Sequence, residues 1–202
     1  MFSGIFTAPR RQRTADIVGV PNYVVNRYYW PFGVTYTGTV VAPGANSLRF
    51  FKARILQSCT IDTVIMRVVA TQASQNVQAA IYNDSATGFP GTLVASSASM
   101  STTAAGAVTA AIAATLYVNQ YYWFAACCDH ATPTFGSQLA TGMALGPALI
   151  GSTSTGNLSA GAPVGVSYAG TFGTWPDMTA NSVTDVGTAS IPIVGFRVAS
   201  IV

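Results

Sequence analysis

His130, the only histidine, directly follows Cys128 and Asp129, so a thiol, a carboxylate and an imidazole stand side by side. Nucleophilic catalysis by cysteine would need the imidazole to take the thiol proton. Immediate neighbours on a strand point to opposite faces, however, and acid–base groups must converge, so the spacing favours a strand-end loop over a catalytic pair. The six carboxylates, Asp16, Asp62, Asp84, Asp129, Asp177 and Asp185, are dispersed singly, and glutamate is absent. Glycoside hydrolysis needs two facing carboxyls, which only tertiary structure could assemble here, so a glycan hydrolase is the lowest-ranked reading. Asp84 or Asp129 could offer oxygen ligands to calcium, but the DxDxDG type of spacing is missing and turn capping explains both. Cys59, Cys127 and Cys128 lack the CxxC spacing of a zinc site, and "GFPG" at 88–91 lacks the spacing and the Lys-Ser/Thr ending of a phosphate loop. No catalytic residue, metal or cofactor is therefore assigned, and the chain is read as a non-enzyme.

Binding chemistry is better represented. Trp175, followed by Pro176 and Asp177 in a polar loop shortly after Tyr168, could stack on a sugar ring. Tyr168, Trp175 and Asp177 are thus candidate glycan contacts; packing between layers or subunits is the competing reading of the tryptophan. At the other end, Arg10, Arg11 and Arg13 precede an aromatic run of Tyr23, Tyr28, Tyr29, Trp30 and Phe32, broken by Pro21 and Pro31. Such a segment cannot form its own core, so its aromatics must pack on the body or on a neighbouring subunit. Residues 1–49 carry five arginines against one aspartate, a balance of +4, whereas 50–202 carry four bases against five acids. The positive charge belongs to the arm, and without a basic stripe on the body nucleic acid is disfavoured as a partner.

Only 7% of the residues are charged, well below the roughly 25% usual in soluble domains, so hydroxyls, amides or other subunits must cover the surface. With no glutamate and a single lysine, Lys52, the composition leans towards β structure. No run approaches about 18 uninterrupted apolar residues, so membrane insertion is not expected. The charges of "MFSGIFTAPRRQR" follow its apolar residues, the reverse of a secretory signal, and the odd cysteine count suits buried thiols in a reducing compartment.

The elements that must position these groups are short. "TVIMRVVA" sets Val64, Met66 and Val68 on one face and Thr63, Ile65 and Arg67 on the other, and "NVQAAIYND" reads as a strand ending in a turn. "TLVASSASM" and "GAVTAAIAATLYV" are further strands, the second against a competing helical reading. "QYYWFAACCD" is a central strand, with Tyr122, Phe124, Ala126 and Cys128 opposite Tyr121, Trp123, Ala125 and Cys127. The Gly- and Ser-rich interval 130–165 predicts a long ordered excursion with one short strand, and "IPIVGFRVASIV" a closing strand. Short strands divided by Gly/Pro turns predict an all-β fold: a single antiparallel β-sandwich, jelly-roll-like, over 48–202, with an extended basic and aromatic arm over 1–47.

"VQAAIYNDSATGFPGTLVASSASMST" followed by "AAIAATLYVNQYYWFAACCD" resembles the β-sandwich module of bacteriophage tail-fibre, head-fibre and related virion proteins. A strand ends in Tyr-Asn-Asp, a Gly-x-Pro-Gly turn leads to a Thr-Leu-Val strand, and a Tyr-Tyr-Trp strand follows. The resemblance covers about a quarter of the chain. It implies a jelly-roll-like body, a homo-oligomer with a trimer favoured, and a displayed surface that could meet a host glycan; it transfers no catalytic residue. A short chain without heptads or repeats suits a spike, decoration protein or terminal knob assembled in the host cytoplasm. Its arm, through Arg10, Arg11, Arg13, Tyr23, Tyr28, Tyr29, Trp30 and Phe32, would contact other virion proteins or subunits. A carbohydrate-binding module is the alternative.

Overall fold

The computed structural model describes residues 22–32, 36–138, 165–186 and 191–202. Among these residues the chain is all-β, with two antiparallel seven-stranded sheets. The first runs β1 (Tyr28–Tyr29), β14 (Gly195–Ile201), β4 (Cys59–Ala70), β10 (Thr134–Gln138) and β13 (Ile191–Pro192), with β2 (Tyr36–Val41) on β10 and β8 (Gly106–Leu116) on β4. The second runs β12 (Thr184–Val186), β11 (Gly165–Ala169), β3 (Ser47–Arg54), β9 (Tyr121–Cys128), β5 (Asn76–Asp84) and β6 (Pro90–Ser96), with β7 (Met100–Ser101) also on β5.

The two sheets enclose a shared core. Its side chains follow the period of two read from the sequence: Val64, Met66 and Val68 of β4, Phe51 and Ala53 of β3, Tyr122, Phe124 and Ala126 of β9, and Phe196 and Val198 of β14. Phe124 stacks on Phe51 within its sheet at 5.5 Å between centroids, and on Phe196 of the facing sheet at 6.0 Å. Burial of these large aromatics, with the aliphatic side chains around them, contributes to the cohesion of a chain so poor in charge.

The predicted central strand is central: β9 lies between β3 and β5 and is buried along nearly its whole length. Its second face, Trp123, Ala125 and Cys127, joins Leu48, Phe50, Ala80, Tyr82, Val166 and Met178 in a second core on the outer side of the second sheet. Residues 170–183 cover that side, anchored where the Gly170 amide donates to the Asn46 carbonyl at 2.9 Å and the Met178 amide to the Gly91 carbonyl at 3.0 Å. The helical reading of "GAVTAAIAATL" loses to the strand because its alternate residues find a partner ladder in β4, from Val68↔Gly106 to Cys59↔Leu116.

Two predicted strands are divided. "TLVASSASM" splits into β6 and β7 at buried Ser97: its amide still donates to the Ala79 carbonyl at 2.8 Å, but the Ala79 amide donates to Ser97 Oγ at 3.0 Å in place of a backbone carbonyl, and that hydroxyl donates to the Ala98 carbonyl. The closing segment breaks at Ile193 and Val194 into β13 and β14, its Ile193 amide donating instead to the Gly136 carbonyl at 3.0 Å. Of the 130–165 excursion, the short strand is β10; residues 139–164 lie outside the described residues.

Candidate interaction surface

Asn26, at φ +64°, turns the chain so that its amide donates to the Val198 carbonyl at 2.8 Å, and the Val198 amide donates back to the Arg27 carbonyl at 3.1 Å. These bonds lay β1 along the edge of β14, pairing Tyr28 with Arg197 and Tyr29 with Phe196. Strand alternation then divides the aromatics between the two faces of the sheet. Tyr29 points inward with Tyr23, their rings 4.8 Å apart, and Tyr23 meets Phe196 edge-on at 5.7 Å. The Tyr23 amide donates to Gln57 Oε1 at 2.8 Å and the Val24 amide to Tyr29 Oη at 2.7 Å. Burial pushes the Tyr23 hydroxyl up to about 12. Residues 22–32 are therefore packed in cis, and with β2 they contribute two strands to the first sheet.

Tyr28 and Trp30 stay outside, 47% and 40% exposed, near exposed Val24 and Val25, while Phe32, 44% exposed, bridges to Arg54 of β3 in the second sheet. Gly195 makes this seat possible, since a Cβ there would come within 2.9 Å of the Tyr29 carbonyl oxygen, Trp30 Cε3 and Ile65 Cγ2. A glycine inside the sequence "IVGFRV" was the available sign of such a close backbone approach. The registers extend the surface in rows. Tyr28, Arg197, Thr63 and Ala111 lie in line, and Ile65 and Thr109 follow beside Gly195. Arg197 holds Asp62 through two bonds, Nε to Oδ1 at 2.8 Å and Nη2 to Oδ2 at 2.6 Å, which keeps the Asp62 carboxyl below its ordinary range. That fork was not legible from sequence because its members are 135 positions apart. Arg10, Arg11 and Arg13 lie outside the described residues.

The candidate glycan contacts share the segment that covers the second sheet. Trp175 is half-buried, its ring 6.5 Å from Tyr82. Tyr168 donates through its hydroxyl to Asn181 Oδ1 at 3.2 Å, and Asn181 Nδ2 donates to the Asp177 carbonyl at 2.5 Å, so one asparagine links Tyr168 to Asp177. The Asp177 carboxylate accepts from the Thr179 amide and hydroxyl at 2.9 and 2.7 Å, which lowers its pKa and closes a local turn.

Each remaining carboxylate with described bonds has its own neighbours. Asp84, at the end of β5, accepts from Lys52 Nζ at 2.8 Å and from Trp123 Nε1 at 2.8 Å. Lys52 also reaches the Gly88 carbonyl at 3.3 Å, where φ is +80°, so the only lysine pins the Gly-Phe-Pro-Gly turn to the sheet. Asp129 accepts from the backbone and side-chain amides of Asn76 at 2.9 and 3.1 Å, and His130 Nδ1 bonds Thr132 at 2.9 Å. Cys128 points into the core while Asp129 and His130 lie in the following bend, so the three neighbours do not converge. Cys59, Cys127 and Cys128 are free and buried; burial pushes the first two thiols up to about 11 and the third higher. Among the described residues no group of three His, Cys, Asp or Glu side chains could hold a metal ion.

No protein-family model matches the chain, and no curated protein matches it. The surface must be interpreted from its own geometry.

Proposed function

We propose that this chain is a structural component of a bacteriophage virion: a fibre, spike or decoration subunit with a jelly-roll-like sandwich body. The division of its N-terminal aromatics carries the reading. Tyr23 and Tyr29 lock the segment onto the sheet, while Tyr28 on β1, Trp30 just after it and Phe32, bridged to Arg54 of β3, stay exposed on backbone that is held in place. Large aromatics presented on rigid backbone lose little entropy on binding, which is what an assembly contact needs. The resemblance of 77–102 and 110–129 to virion modules supports the same reading. In this reading the subunits form a homo-oligomer, a trimer being favoured, and the arm joins them to other virion proteins; the displayed surface can contact a host. The test is the variant Tyr28→Ala/Trp30→Ala/Phe32→Ala. It is expected to stay folded yet fall at least about tenfold in abundance in purified particles, a loss of about 1.4 kcal/mol or more in contact energy. Unchanged abundance would overturn the contact role of these residues.

A carbohydrate-binding module is the second reading, supported by the link through Asn181 that gathers Tyr168 and Asp177 beside Trp175. It expects Trp175→Ala to lose binding on a glycan array while its melting temperature stays within a few degrees of the parent. An unchanged array profile would remove it.

A further inference from the structure

Backbone left unpaired at a sheet edge specifies its own occupant, an extended strand, and proteins that stay separate blunt such edges with charge, proline, bulges or brevity. Among the edge strands whose side chains are described, most carry one of these devices. β1 and β13 have two residues each and β12 three; β6 starts at Pro90 and its register with β5 shifts twice. β8 differs. It has eleven residues without charge or proline, and among the described residues its ladder pairs only with β4. From Gly106 to Ala111 the register is unbroken and none of these devices is present; beyond it β8 carries one bulge, Ala111–Ala114 lying opposite Thr63–Ile61 of β4 with one extra residue on β8.

The side chains on this edge suit a close neighbour. Ala107, Thr109 and Ala111 are exposed on the outer face and small enough to admit another sheet alongside. On the inner face Val108, Ala110 and Ala114 pack against the core yet stay only half-buried, as do Val94 and Ala95 of β6 across the seam. Among the described residues the core is thus left open along one line, next to backbone without a second ladder partner.

We infer that β8 is a docking edge for the β8 strand of a second copy of this chain, paired antiparallel about a two-fold axis. A second copy fits because an antiparallel strand is its own complement under a two-fold. The same alternation would continue the small outer face and close both open seams at once. With no charge on the strand, identical copies meet without repulsion along its length. The inference goes beyond the virion reading and does not rest on it; the aromatic surface of β1 is on another strand and remains available for other contacts.

The test is sedimentation of the full chain beside Thr109→Lys/Ala111→Lys. Both side chains are exposed, so the fold is kept, while lysines from the two copies would face each other across the new ladder. The assembly mass is expected to halve, whatever number of subunits the arm joins. Those amides over 107–111 that face away from β4 should exchange slowly in the parent and at least about tenfold faster in the variant. An unchanged mass, or a parent in which the amides facing away from β4 exchange as fast as its loops, would overturn the inference. If Tyr28→Ala/Trp30→Ala/Phe32→Ala lowers particle abundance while the lysine pair leaves the mass unchanged, the edge inference fails and the virion reading stands.

Discussion

Burial holds the ionisable side chains of the two cores in their neutral forms. Tyr23 is pushed up to about 12, Cys59 and Cys127 to about 11, and Tyr82, Tyr122 and Cys128 are raised by the same desolvation. In the unfolded chain, cysteines ionise near 8.5 and tyrosines near 10. Unfolded molecules therefore release these protons first as pH rises. The stabilisation is complete below the ordinary values and is lost as pH climbs towards the folded ones. Denaturant unfolding is expected to show several kcal/mol less stability at about pH 10.5 than at about pH 7.5. Equal midpoints at the two pH values would contradict the burial account. At the acid end the sign reverses for Asp62: its bond to Arg197 stabilises above the ordinary carboxylate value and fades as pH falls through the lowered one. Both partners are over a third exposed, so solvent screens the pair and its contribution is small.

At the scale of elements, the seat of β1 on β14 depends on the absent side chain at Gly195. Gly195→Val is expected to push residues 22–32 off the sheet, uncovering Phe196 and exposing Arg27 to trypsin several-fold faster, with a fall in melting temperature. An unchanged digestion pattern would show that the seat tolerates a side chain. The period of two along β4 and β9 was legible in the sequence; β4 buries one face in the shared core, while β9 and β5 bury both faces. The Gly-Phe-Pro-Gly turn was legible through its glycines. Less legible were events set by partners far along the chain: the division of "TLVASSASM" at Ser97, the fork of Arg197 on Asp62, and the packing of the arm on Phe196. Local pattern cannot say which distant backbone will offer a donor. The aromatics of residues 23–32 announced a need for cover, but their split into inward and outward sets depends on the register of β1, which only the fold fixes.

The whole molecule presents two unlike outer faces. One is sealed by residues 170–183 over Tyr82 and Trp123; the other carries Tyr28, Trp30, Ile65, Thr63 and Thr109 without such a described cover, and ends at the uncharged edge of β8. Under the proposed virion role, the second face is the one on which a neighbouring subunit would be met. The most direct measurement is quantitative mass spectrometry of purified virions from a culture producing the protein. The account predicts this chain in a fixed, multiple copy number per particle, reduced by Tyr28→Ala/Trp30→Ala/Phe32→Ala. Particles that are complete and infectious without the chain, with the protein found only free in the lysate, would contradict it.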